Sequence, residues 1–200
     1  MSVNYTSLKN TVADFLARDD ISTVAFNTFI DITEMDITAS FSPKELDAFV
    51  ELDIQDDGYV ELPTDYRLSR VVKVGDNGPL QQIDPQSFFE NTYNSNITTI
   101  GTKMYFGKQI QGKKCKMLYS RRIPSLITEE ENAISQLYPS LYIFGCLKEA
   151  AAYIDDKQKL AIYEQKFMEA LESAVVDADT SRYSGSRLVT TPTTILLGGQ

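Results

Sequence analysis

The run Arg121-Arg122-Ile123-Pro124-Ser125-Leu126 leads through Glu129-Glu130-Glu131 to Tyr138-Pro139-Ser140-Leu141-Tyr142-Ile143-Phe144-Gly145-Cys146-Leu147-Lys148-Glu149-Ala150-Ala151-Ala152-Tyr153-Ile154. A basic strand end enters a turn, and acidic residues then precede a segment whose apolar positions alternate between aromatic and small. This junction divides the chain into a β-rich part before it and a helical part after it. Two helices are expected downstream, over about 132–154 and about 156–179. Pro139 is tolerated near the start of the first, or kinks it. In the second, Leu160, Tyr163, Phe167, Leu171 and Ala174 recur at helical spacing.

Upstream, residues 45–126 change period. Val50, Leu52 and Ile54 alternate with polar residues, Asp56-Asp57-Gly58 follows, and Val60 and Leu62 resume the alternation. An Asp-Gly pair between alternating runs predicts a hairpin, because glycine supplies the positive φ that the turn requires. Arg70 to Val74 predicts another strand, and Asp84-Pro85 the start of a short helix to about Asn91. Residues 102–106 and 113–120 read as a second hairpin, bracketed by Gly107 and Gly112. Before the β region, Leu8, Val12, Phe15 and Leu16 define a helix over 5–18. Asp19-Asp20 is expected to start a second helix to about 38, with Ile21, Ala25, Phe29, Ile32 and Met35 or Asp36 at helical spacing.

The fold class is therefore α+β: a mainly helical bundle with an inserted antiparallel β-hairpin module and an extended C-terminal tail. We expect one domain over 1–180. It comprises N-terminal helices (1–40), a β-rich insert (45–126) and a C-terminal helical hairpin (129–180), with residues 181–200 as tail. Two hundred residues suffice for a buried core.

Composition narrows the chemistry. The chain has no histidine, so it lacks the usual general base near neutral pH and the commonest transition-metal ligand. Cys115 and Cys146 match no metal or redox spacing and read as two buried thiols. No dinucleotide, phosphate-loop or serine-nucleophile motif occurs. The acid pairs Asp19/Asp20, Asp56/Asp57, Glu129–Glu131 and Asp155/Asp156 fall at predicted helix starts or turn tips, where free backbone N–H groups favour carboxylates. Asp53 to Gly58 lacks the full pattern of a calcium loop. No catalytic residue, cofactor or metal is expected. The N-terminus does not read as a secretory leader. The longest apolar run, Leu141 to Leu147, falls far short of the ~20 residues of a membrane span.

The net charge of −9 is unevenly placed. Residues 1–65 carry 14 acidic and 3 basic side chains, residues 66–128 carry 3 and 10, and residues 129–200 carry 11 and 6. Clustered solvated faces would explain this. So would one basic and one acidic surface suited to head-to-tail association. The basic residues Lys103, Lys108, Lys113, Lys114, Lys116, Arg121 and Arg122 interleave with Tyr105, Phe106 and Tyr119, a pattern that can track phosphates and stack bases. It equally describes a hairpin with lysines turned outward. In the tail, the apolar triplet Ile195-Leu196-Leu197 reads either as a frayed end or as an anchor for a partner.

One order of motifs spans roughly residues 5–180. Leu62-Pro63-Thr64-Asp65-Tyr66 comes first, then Gly78-Pro79-Leu80, and Asp84-Pro85 through Phe88-Phe89. Gly101 with Met104-Tyr105-Phe106-Gly107, Met117 through Leu126 and Tyr138 through Ala152 complete it. This order resembles the head–tail connector or adaptor proteins of phages, of the tail accessory type found in short-tailed phages. The resemblance implies a structural virion protein at the head–tail junction, assembled in the host cytoplasm. Its implied partners are the portal protein, a tail tube or nozzle protein, and further copies of itself in a ring of about twelve. Double-stranded DNA would pass through the channel without specific binding, and no membrane is implied. The basic residues named above and Ile195, Leu196 and Leu197 are the candidate subunit or portal contacts. The alternatives are a nucleic-acid-binding accessory protein using residues 103–122, and a tail-tube component. A wall-degrading activity is the one enzymatic reading kept open.

Overall fold

Asn4 opens the first helix. Its side chain accepts the Ser7 amide proton at 2.8 Å, and the Asn4 amide donates to Ser7 Oγ at 2.9 Å, a reciprocal cap that satisfies two backbone donors at once. The computed structural model describes residues 3–18, 20–75, 78–90, 95–107 and 113–183. Helix α1 (Tyr5–Leu16) buries Leu8, Val12 and Leu16. Helix α2 (Thr23–Ser40) starts later than Asp19-Asp20 predicts, because Ser22 Oγ accepts the Ala25 amide proton while Asp20 pairs with Arg18 at 2.6 Å. Its buried face also differs. Phe26, Phe29, Ile30, Thr33 and Ile37 point inward, and Ile32 and Met35 are exposed.

The β region contains strands β1 (Asp47–Asp53), β2 (Tyr59–Glu61), β3 (Tyr66–Val74), β4 (Gln81–Gln82), β5 (Asn96–Ile100), β6 (Lys103–Phe106) and β7 (Lys114–Arg121). Helix α3 (Pro85–Glu90) lies between β4 and β5, with Asp84 accepting the Ser87 amide proton at its start. Among the described residues the strands form two sheets, ordered β1-β7-β3 and β2-β6-β5-β4. Pairing is antiparallel except between β4 and β5, which run parallel.

Neither expected hairpin pairs its own two strands. The chain does reverse at Asp57-Gly58, where the Gly58 φ is +78° and its amide donates to the Gln55 carbonyl. After that turn, however, β1 pairs with β7 while β2 pairs with β6. Turn chemistry fixes where a chain turns back, and the partner of each strand is set by which side chains bury together. Here Ile54, Val60, Val72, Val74, Ile97, Met104, Cys115 and Met117, drawn from both sheets and the turn after β1, make one core cluster.

After Leu126, Asn132 caps helix α4 (Ala133–Leu137), so the preceding Glu129–Glu131 lie outside the helix. Tyr138 interrupts, and Pro139 begins α5 (Pro139–Tyr153) as a first-turn residue, where a missing N–H costs nothing. One continuous helix is thus replaced by two. Helix α6 (Lys157–Tyr183) returns along α5 and extends beyond the predicted end near 179. Helices α1, α2, α5 and α6 share the larger core, which includes Phe26, Ile30, Leu141, Tyr142, Leu147 and Phe167. Full burial of each such side chain is worth about 1.5–3 kcal/mol.

Arginines on β3 tie the sheets to the helices. Arg67 donates to the carbonyls of Thr38 and Phe41, satisfying free acceptors at the C-terminal end of α2. Arg70 bridges to Asp47 at 3.1 Å and donates to the Ser42 carbonyl at 2.9 Å. A second tie is Glu34, buried on α2, whose Oε1 accepts the Leu126 amide at 2.9 Å and the Tyr142 hydroxyl at 3.1 Å. Asn132 Nδ2 donates to the same Tyr142 hydroxyl and to the Pro124 carbonyl. This network holds the junction after β7 against α2 and α5.

Candidate functional site

Strand β7 alternates from Lys114 to Tyr119, with Cys115, Met117 and Tyr119 buried and Lys114, Lys116 and Leu118 exposed. Because successive side chains on a strand point to opposite faces, the register places the outward residues of three strands in rows. Phe49, Leu118 and Val71 stand side by side across β1, β7 and β3, and so do Glu51, Lys116 and Lys73. Phe49 is 65% exposed, Leu118 38% and Val71 36%. Lys114 lies opposite Asp53, and its ammonium reaches Glu51 at 3.3 Å. An apolar row beside a lysine-rich row is thus presented outward from the β1-β7-β3 sheet.

The basic residues singled out in the sequence divide between several places. Lys114 and Lys116 share the sheet face just described, joined by Lys73, and Lys113 is an exposed residue just before β7. Lys103 belongs to the other sheet, where it pairs with Glu61 at 3.4 Å and lies 4.0 Å over the Tyr59 ring. Arg121 is half-buried at the end of β7, with Nε lacking a hydrogen-bond partner among the described residues. Arg122 is exposed, and lines a groove of about 700 Å³ with Met35, Arg67 and Ile123. Lys108 and the Ile195-Leu196-Leu197 triplet lie outside the described residues. Of the aromatics that interleave with the lysines, Phe106 and Tyr119 are buried, and the Tyr119 hydroxyl donates to Asp65 at 2.9 Å, whereas Tyr105 is half-buried and packs against the Tyr59 ring.

Sequence reading did not find the apolar row, although a signal was present. Phe49 is out of phase with Val50, Leu52 and Ile54, and Leu118 with Cys115 and Met117. Each is a single outward apolar residue on its own strand. Only the pairing of β1, β7 and β3 assembles them.

The opposite character appears on α6. Glu164, Met168, Glu172, Val176 and Asp179 follow at i, i+4 or i+3 spacing and are all exposed, with Met168 at 57% and Val176 at 61%. Met168, Glu172, Val175 and Val176 also border a groove of about 470 Å³.

Burial pushes the Cys115 thiol up to about 11 and Cys146 up to about 12, so both stay protonated and unreactive at neutral pH. Among the described residues no three His, Cys, Asp or Glu side chains are grouped to hold a metal ion. No described helix is long and apolar enough to cross a membrane.

A family model described as SU10 adaptor protein matches residues 3–191. The chain belongs to the SU10 adaptor protein family. The match covers both the helical bundle and the β insert, and it agrees with the phage head–tail adaptor resemblance carried by the order of motifs. Membership makes this a phage adaptor and a structural virion component, in a family that interacts with portal and tail proteins. No curated protein matches the chain.

Proposed function

We propose that this adaptor binds the portal ring, assembles there as a ring of about twelve copies, and offers a platform to the tail tube or nozzle. The observation that carries the reading is the family match over residues 3–191, which embraces every element described. The surfaces support it. One face of the β1-β7-β3 sheet carries an apolar row and three lysines against Glu51 and Asp53, one stripe of α6 is acidic and apolar, and heterologous contact between such faces generates rings when the rotation closes. Lys103, Lys108, Lys113, Lys114, Lys116, Arg121 and Arg122 face a neighbouring copy or the portal, and Ile195, Leu196 and Leu197 dock on the portal. An acidic chain lining the channel lets DNA pass without retention, since phosphate contacts require basic residues.

The nucleic-acid reading has less support. It needs exposed aromatics between the lysines, and of the three only Tyr105 is not buried, its ring packed on Tyr59. It also needs one basic surface, whereas Lys103 and Lys116 belong to different sheets. Electron microscopy of particles made without this chain tests the proposal. Filled heads lacking tails are expected, and normally tailed particles would remove it.

A further inference from the structure

Lys73 and Lys116 are direct cross-strand partners on β3 and β7, with no ion pair to either among the described residues. Like charges placed directly opposite destabilise a sheet. The one acid in their row, Glu51, turns to Lys114 instead. Beside this pair runs the exposed row Phe49, Leu118 and Val71. The surface therefore carries an uncompensated positive charge and an uncovered apolar strip at the same place. A partner that supplies carboxylates at helical spacing around apolar side chains would relieve both.

The chain itself contains such a partner. On α6, Met168 and Val176 are exposed within one stripe that also bears Glu164, Glu172 and Asp179, none of them ion-paired among the described residues. Among the described residues the other helix with more than one exposed large apolar side chain is α2, which offers Val24, Ile32 and Met35. Its charge complement is poorer, since Asp31 is its one exposed acid without an ion pair among the described residues, Asp36 being bound to Lys148 at 2.6 Å and Glu34 buried. We infer that the β1-β7-β3 face of one copy docks on the α6 stripe of the next copy. The contact is heterologous, so each copy uses both faces and the association propagates. This rests on the adaptor reading and specifies which surfaces join the copies.

Disulfide trapping on portal rings from the same genome tests it. The native thiols do not interfere, because Cys115 and Cys146 are fully buried. The double variant Phe49→Cys/Val176→Cys should give a ladder of linked oligomers on a non-reducing gel, while either single variant stays monomeric. Adding Lys116→Glu should lower the ladder about tenfold, and further adding Glu172→Lys should restore it. Three results would overturn the inference while leaving the adaptor reading intact. Phe49→Cys alone could link, giving a symmetric sheet-to-sheet contact. Phe49→Cys/Met35→Cys could link in place of the first pair, giving α2 as the partner. Or no pair could link although the unmodified chain loads on the portal. If the unmodified chain neither loads nor self-associates, the adaptor reading falls and the inference with it.

Discussion

The Tyr142 hydroxyl donates to Oε1 of Glu34 at 3.1 Å, joining α5 to α2 across the centre of the helical core. Burial raises the Glu34 pKa above its ordinary 4.5, against the lowering effect of its hydrogen bonds from Leu126, Ser125 and Tyr142. The folded chain therefore holds the Glu34 proton more tightly than the unfolded chain does. That contribution to stability is complete below about pH 4.5 and is lost as pH rises through the raised value. Glu34→Gln keeps an oxygen acceptor and removes the charge. In thermal melts from about pH 4.5 to about pH 7, the difference between wild type and this variant should shift steadily in the variant's favour. A difference constant with pH would contradict this account of Glu34.

A Cβ on Gly145 would overlap Cγ2 of Thr33 and stand 2.9 Å from its Oγ1, so α2 and α5 approach too closely there for any side chain. Gly145→Ala should therefore destabilise by about 1–3 kcal/mol through overpacking, even though alanine is the better helix former. Removing the obstructing atoms with Thr33→Ala should return part of the loss, so denaturant melts of the double variant should be less destabilised than the sum of the singles. Additive losses would place the strain elsewhere.

Replacing Lys113, Lys114 and Lys116 by glutamate should block assembly while leaving the monomer folded. All three side chains are exposed, and the one ion pair lost, Lys114 to Glu51, is worth ~1 kcal/mol at most. A melting temperature within a few degrees of wild type, with no ring formed in sedimentation, is the expected pair of results. Normal ring yield would exclude this face from the interface.

Truncation after Ser186 removes Ile195, Leu196 and Leu197 and should weaken portal binding without altering the melting transition. Affinity measured by light interferometry on immobilised portal rings checks this. Unchanged affinity would take the C-terminal residues out of the account.

Much of the helical architecture was legible in the sequence, because Leu160, Tyr163, Phe167, Leu171 and Ala174 repeat with one helix period over a long span. The buried face of α2 was not, since Ile32 and Met35 are as apolar as Ile30 and Phe29, and only packing against α5 distinguishes them. Strand existence was legible from alternation. Strand partnership was not, because the Asp57-Gly58 turn carries local information while the β1–β7 pairing joins residues more than sixty positions apart. The candidate site divides the same way. The lysines of residues 113–116 stand out as a charge run, but the Lys73–Lys116 opposition and the Phe49–Leu118–Val71 row exist only once the register is known. Burial of Phe106 and Tyr119, which weakens the nucleic-acid reading, likewise depends on how the two sheets share a core.

Native mass spectrometry of the purified chain, alone and mixed with portal rings from the same genome, tests the central claim most directly. The account predicts that each portal ring takes up about twelve copies. Portal rings that retain their own mass in the presence of excess chain would contradict it.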